Sequence, residues 1–274
     1  MPWRLPTTEH FSRPRHEVRA VIESTQTSSR GAWVTGASSG IGWHLSLKLA
    51  QAGWRVAASA RREQQLRELA AASPEGAVRA FAVDVTDAVA VRVTYDAIRD
   101  AHGAPDLCVF NAGVYEPAPI TDFDLKRFRT HVEVNIMGVA HGVAAVLPDM
   151  IARRRGQIII NASVAGYRGL PNGVPYGVTK AALINLAETM RAELSPKGVR
   201  VRVINPGFVK TSLTDKNKFK MPALIEPQDA AMRIMRELDG SNFEITFPRR
   251  FTYVMKCLRC LPYRLYFPLV RRLV

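Results

Sequence analysis

Tyr176 and Lys180 stand four residues apart, and Ser163 lies thirteen residues ahead of the tyrosine. On a helix, positions i and i+4 share a face, so this spacing sets a phenol beside an ammonium. A free tyrosine has a pKa of roughly 10 and exchanges protons poorly at neutral pH. A neighbouring cation favours the phenolate and lowers that value, which makes the phenol usable for general acid–base work. A serine hydroxyl close by could hold a substrate oxygen. Alone, Tyr-x-x-x-Lys is a weak signal, because a half-buried tyrosine beside a solvated lysine gives the same pattern.

A second feature lies far upstream. Residues 35–42 read TGASSGIG, after the apolar run GAWVT at 31–35 and before a stretch of helical character at 43–52. Strand, glycine turn and helix in this order are the context of a dinucleotide site. Gly36, Gly40 and Gly42 allow a tight turn and let backbone approach a pyrophosphate. Free N–H groups at the helix start, around Ile41, would face the phosphates, and Ser38 and Ser39 could add hydroxyl donors. A glycine-rich turn without a ligand is the plainer reading. The spacing is G-x-x-x-G-x-G, not G-x-G-x-x-G.

With that variant, the chain resembles the short-chain dehydrogenase/reductase family. The matching stretches run in order from about residue 31 to 247: TGASSGIG at 35–42, Asp84-Val85, Asn111-Ala112-Gly113, Asn135, Ser163, Tyr176-x-x-x-Lys180, and Asn205-Pro206-Gly207 followed by Thr211. The resemblance implies that Tyr176 protonates a carbonyl oxygen during reduction, that Lys180 lowers its pKa and bonds the nicotinamide ribose, and that Ser163 positions the carbonyl. Asn135 would hold a water linking Lys180 to solvent. Asp84 would accept from the adenine amine and the Val85 backbone would touch adenine. Asn111, Ala112 and Gly113 would pack beside the cofactor, where a structural turn serves equally well. Pro206 and Gly207 would lead to the nicotinamide side, and Thr211 could bond its carboxamide. All four catalytic positions are present, which argues against an inactive relative.

The choice between NAD and NADP falls to the end of the second strand. An acid there would accept from the ribose 2′-OH and repel a 2′-phosphate. The chain instead reads Ala58-Ser59-Ala60-Arg61-Arg62. Ala60 takes the acid's place and Arg61 follows, and a guanidinium can hold a phosphate bidentately. NADP(H) is therefore expected over NAD(H). Two solvated arginines opening a helix are the alternative.

These residues need a frame. The 274 residues suffice for one large α/β domain. Strands are predicted at 31–35, 54–59, 78–83, 106–110, 156–162, 199–204 and 243–247, and helices near 41–52, 62–72, 87–102, 121–153, 175–195 and 227–238. The alternation predicts a doubly wound, mainly parallel, Rossmann-like sheet of about seven strands with helices on both faces. Runs such as Gln157–Ile160 and Val201–Ile204 are apolar with little alternation, as strands covered on both faces are. Ligands bind such sheets beyond the carboxyl ends of the strands, where the motifs fall. No uninterrupted apolar run reaches the length of about 20 residues that spans a bilayer. Three cysteines suit a reducing compartment, and the Cys257/Cys260 pair has no second pair or nearby histidine to complete a metal site.

Two segments lie outside the expected catalytic domain at 31–247. Residues 1–30 read as a loosely ordered extension with Pro2, Pro6 and Pro14, a Ser/Thr-rich linker and a short helix at 15–23. Residues 248–274 carry seven basic residues and no acid, half of the formal net charge of +14, interleaved with aromatic and aliphatic side chains. Pro262 and Pro268 should divide any helix there into short pieces. Two readings stay open for this segment. It packs over the substrate pocket or against another subunit, or it lies on an anionic membrane. Its charge joins no nucleic-acid motif, so nucleic acid is not expected as a partner.

The expectation is an NADP(H)-dependent oxidoreductase acting on a small carbonyl or alcohol, lipophilic if the tail meets membrane. It is placed in the cytoplasm, with peripheral membrane contact as an option, and is a homo-oligomer by family resemblance. The reading from another class is a non-catalytic nicotinamide-cofactor-binding or sensing module whose partner docks on 248–274. Substrate choice falls to 164–175, to the lysine-bearing loop 208–226 and to the tail.

Overall fold

The computed structural model describes residues 30–217 and 219–273. The expected extension at 1–29, its helix at 15–23 and Lys218 lie outside the described residues. Seven parallel strands form one sheet in the order β3-β2-β1-β4-β5-β6-β7. They are β1 (Gly31–Thr35), β2 (Arg55–Ala60), β3 (Val78–Ala82), β4 (Leu107–Phe110), β5 (Gly156–Asn161), β6 (Val199–Pro206) and β7 (Glu244–Phe247). The order reverses between β1 and β4, which opens a crevice at the carboxyl ends of those strands.

Alternate residues of each strand feed two cores. Trp33, Cys108, Phe110, Ile158, Ile160, Val201 and Val203 face α3 (Ala88–His102), α5 (Gly138–Ala152) and α6 (Tyr176–Leu194). Val34, Val56, Val109, Ile159, Ile204 and Ile245 face α1 (Gly40–Gln51), α2 (Glu63–Ala71) and α7 (Pro227–Glu237). Both faces of central strands such as β1 and β4 are buried, and this explains the unbroken apolar runs; the edge strand β3 leaves Arg79 and Ala82 exposed.

The single helix expected over 121–153 is divided. Asp124 caps α4 (Leu125–His131), its side chain accepting from the Lys126 and Arg127 N–H groups. A π-helical turn, Val132–Met137, then joins α4 to α5. π-turns insert an extra residue into a helix and are frequent at functional sites; this one carries Asn135. The continuous path Leu125–Ala152 is long and apolar enough to cross a membrane. Here Val139, Ala145, Val146 and Met150 instead belong to the core against the sheet.

The basic C-terminal segment forms α8 (Arg249–Cys260) and α9 (Tyr263–Val270). Pro262 separates them as expected. Pro268 lies within α9 and does not end it. Its ring is exposed, so water can reach the carbonyl left without a donor.

Candidate active site

The chemical end is built where α6 starts. Tyr176 is the first residue of α6, so Tyr176 and Lys180 share its first turns and one face. Lys180 is buried, its Nζ donating to the Asn161 carbonyl at the end of β5 over 2.7 Å and lying 5.4 Å from the Tyr176 ring centroid. Ser163 opens the short 3-10 turn Val164–Gly166, and its hydroxyl accepts from the Ala165 N–H at 3.1 Å. That turn rides directly on α6. A Cβ at Gly166 would lie 2.6 Å from the Lys180 carbonyl carbon, so only glycine permits the approach.

Burial dominates the electrostatics. It pushes the Tyr176 phenol up to about 12, while a hydrogen bond from Ser163 pulls the other way. Burial also pushes Lys180 down to about 7. The expected lowering of the tyrosine's pKa by Lys180 is not seen, since burial, Ser163 and Tyr115 alone shift the phenol. The reason is that the amine is itself desolvated and only partly a cation at neutral pH. Tyr176 is thus held as a phenol, the form that donates a proton.

Asn135 is fully buried on the π-turn. Its Oδ1 accepts from the Val114 N–H at 2.8 Å, and its Nδ2 donates to the Val114 carbonyl at 3.1 Å and the Thr179 hydroxyl at 3.0 Å. Both amide hydrogens are spent on protein, so a water between Asn135 and Lys180 cannot use them. Tyr115 packs edge-on against Tyr176, with ring centroids 4.8 Å apart, and its hydroxyl donates to Asn217 Oδ1 at 2.6 Å. Tyr115 and Thr179 carry no signal in the sequence, because each acts through a contact distant along the chain.

The glycine turn forms the other end. Gly36 has φ +67°, and a Cβ there would lie 2.7 Å from the Ala112 Cα. Asn111 stitches the strand ends together. Its Nδ2 donates to the Thr35 and Gly36 carbonyls, its Oδ1 accepts from Asn161, and its N–H and that of Ala112 donate to the Thr35 hydroxyl. Asn111 and Ala112 therefore brace the turn, and Gly113 lies between Asn135 and Lys180. At the start of α1, Ser39 makes no side-chain cap. The first-turn N–H groups of Gly40, Ile41 and Gly42 lack intrahelical acceptors, as at any helix start. Thr211 lies against Gly40. A narrow glycine cradle with uncapped N–H donors fits a pyrophosphate.

The two arginines after β2 diverge. Arg62 reaches the turn, its guanidinium donating to Ser38 Oγ at 2.9 and 3.2 Å and to Ser39 Oγ at 2.9 Å. Arg61, the arginine singled out in the sequence, lies 3.8 Å from Asp84 and with it lines a cleft of about 710 Å3 that extends to Lys126, Arg129 and Val134. One Asp84 oxygen accepts from the Thr86 N–H and hydroxyl, leaving the other toward Arg61. Val85 is buried, and its carbonyl lies 2.9 Å from His141 Nδ1.

The tail closes over the end of β6. Pro206 ends β6, and the Gly207 N–H donates to the Phe247 carbonyl at 2.7 Å. A Cβ on Gly207 would meet the Phe251 ring of α8 at 2.8 Å, and Phe251 packs on Phe208. Glu244 on β7 accepts from Tyr167, from Asn205 and from Lys256 of α8. Burial pushes its carboxyl up, but the hydrogen bonds from Lys256, Tyr167 and Asn205 together hold it below the ordinary value. Arg168 donates to the Leu258 and Arg259 carbonyls and stacks over Tyr266, whose hydroxyl donates to the Gly169 carbonyl. The segment is folded onto its own domain, as the packing reading expects.

The comparisons agree with this geometry. The family model for short chain dehydrogenase matches residues 30–221. An uncharacterized oxidoreductase of Myxococcus xanthus is 38% identical over 250 residues, 90% of this chain and 99% of that protein. A short-chain dehydrogenase from Streptomyces avermitilis superposes with TM-score 0.76 at 27% identity, covering 85% of this chain and 92% of its own. An alcohol dehydrogenase from the archaeon Thermococcus sibiricus, complexed with 5-hydroxy-NADP, gives 0.73 at 26% identity, over 80% and 96%. A nicotinamide-dependent oxidoreductase is what a glycine cradle, a buried lysine and a helix-initial tyrosine on one parallel sheet amount to, and the chain belongs to the short-chain dehydrogenase family.

Proposed function

We propose that the enzyme interconverts a carbonyl and an alcohol using NADP(H), with Tyr176 as general acid and base. The observation that carries this reading is geometric: Tyr176 and the buried Lys180 share the first turns of α6, the Lys180 Nζ lies 5.4 Å from the Tyr176 ring centroid, and the turn that begins at Ser163 rides on the same helix. The bound nicotinamide supplies the hydride. Ser163 holds the substrate oxygen against the phenol, which gives its proton to that oxygen in reduction and takes it back in oxidation. Lys180, anchored on the Asn161 carbonyl, orients the ribose and carries charge when protonated. Tyr115 packs edge-on against the Tyr176 ring and limits its movement.

The preference for NADP(H) rests on Arg62 and Arg61. Ser38, Ser39 and Arg62 place two hydroxyls and a guanidinium at the mouth of the glycine turn, and no acid stands at Ala60 to repel a 2′-phosphate. Asp84, Val85, Pro206, Gly207 and Thr211 are the further cofactor contacts in this reading. A panel of small carbonyl compounds and alcohols, assayed with NADPH and NADH, tests it. NADPH should be oxidised by at least one carbonyl and bind at least about tenfold more tightly than NADH, roughly 1.4 kcal/mol. Equal affinity for the two cofactors overturns the preference, and tight binding without turnover on any compound overturns the chemistry.

A further inference from the structure

We infer that the outward face of α8 and α9 docks on an anionic lipid bilayer, with α9 lying in the interface. The inference stands apart from the chemistry proposed above.

The inner side of this segment is fixed. Thr252 and Met255 of α8 and Tyr266 and Val270 of α9 are buried, and Arg168 clamps the junction between the helices. Rotation of either helix would break these contacts, so what faces outward is determined.

What faces outward is apolar. Of the eight residues of α9, only Tyr266 and Val270 are buried. Tyr263 is 68% exposed, Leu265 60%, Phe267 51% and Leu269 47%. Leu265 and Leu269 form one i,i+4 ridge. Tyr263 and Phe267 form the next, with stacked rings 5.5 Å apart. On α8, Tyr253 and Val254 are exposed as well. A contiguous apolar patch of this kind marks an interaction site.

Charge selects the occupant. Arg250, Arg264, Arg271 and Arg272 are exposed and, among the described residues, form no ion pair, and no acid occurs in 248–274. A second copy docking through this face about a two-fold axis would bring two arginine-bearing faces together, with no Asp or Glu of 248–274 on either to offset them. An anionic bilayer meets both features, the ridges entering the acyl boundary and the arginines reaching headgroups. At about 1.5 Å per residue, α9 is about 12 Å long against a hydrocarbon core of about 30 Å, so the contact is peripheral. Phe251 of α8 packs on Gly207 and Phe208, so the helix that joins the docking face to the domain also borders the end of β6.

The test is co-sedimentation of the full chain with vesicles of phosphatidylcholine alone or with one part in four phosphatidylglycerol. The protein should pellet with the phosphatidylglycerol vesicles at low salt, stay in solution with phosphatidylcholine alone, and be released as salt is raised. Leu265→Glu with Leu269→Glu should weaken partitioning at least about tenfold. Arg264→Ala with Arg271→Ala should weaken it roughly thirtyfold, about fivefold for each arginine. Melting temperature and NADPH binding should hold in both variants. If the leucine variant does not fold, the arginine variant and the salt release carry the test. The inference is overturned if the unmodified protein stays in solution with phosphatidylglycerol vesicles or if both variants bind as it does. It is also overturned if the leucine variant sediments, without vesicles, as a smaller species than the parent, for then the face covers a second copy. Loss of turnover with vesicle binding intact would strike only the chemistry.

Discussion

The two ends of the crevice are made of different materials. Around Tyr176, the partners Lys180, Asn135 and Ser163 are buried and bonded to protein atoms. Around the glycine turn, Arg61 is 68% exposed on its side chain, and Arg62 meets two serine hydroxyls at the surface. Desolvated groups shift their pKa strongly and have no solvent to replace a lost partner. Exposed cations are screened and contribute modestly. Chemistry thus depends on single buried groups, and cofactor preference on several weak exposed ones.

The sharpest way to break this contrast is Tyr176→Phe. It should lower turnover by about a thousandfold, within the range for a lost general acid, while NADPH affinity measured by fluorescence titration changes little. Near-normal turnover would remove Tyr176 from the chemistry. Gly36→Ala should come next. Its positive φ and the 2.7 Å approach to Ala112 backbone leave no room for Cβ, and the variant should lose about 2–4 kcal/mol of stability in denaturant unfolding. Arg62→Ala should be milder, shrinking the NADPH-over-NADH preference about tenfold, and Arg61→Ala less, with both effects fading as salt rises. If Arg61→Ala is the larger, the side facing Asp84 holds the 2′-phosphate.

The smallest effect concerns pH. Lys180 has a folded pKa of about 7 against an ordinary 10.5, so between these values the unfolded chain binds the extra proton and stability rises with pH. Tyr176 is raised from 10.0 to about 12, so in that window the folded chain binds the extra proton and stability falls. The melting temperature of the cofactor-free protein should therefore climb by a few degrees from neutral pH to about 10 and decline above it. Lys180→Met should abolish the climb and leave the decline. A flat profile would mean that water reaches the amine.

The frame was legible because buried parallel strands are written locally, as β-branched runs between turn residues. Even the small errors are instructive. The sixth strand is predicted to end at 204, but Asn205 and Pro206 continue it because they pair with Thr246 and Phe247 of β7, a partner distant in sequence. The π-turn was not legible, since it is stabilised by Asn135 reaching Val114. Nor could the sequence choose between Arg61 and Arg62. That depends on α2 beginning at Glu63, which makes Arg62 the flanking N-cap residue and swings its side chain to the turn. The tail's inward contacts were equally hidden, because Lys256 finds Glu244 and Arg168 finds the α8–α9 junction only in three dimensions.

Glu244 has one more consequence, for anyone who would transplant this tail. Its carboxylate gathers a tyrosine from the turn after Ser163, an asparagine from the strand leading to Gly207 and a lysine from α8. Residues 248–274 are therefore not a portable module. Grafted onto another member of the family, they would carry over the arginines and the apolar face but leave Lys256 facing whatever that scaffold offers. A swap designed at Phe247 cuts through the joint; one that begins upstream of the last strand brings Glu244 along but still needs a tyrosine and an asparagine in the recipient at the places of Tyr167 and Asn205.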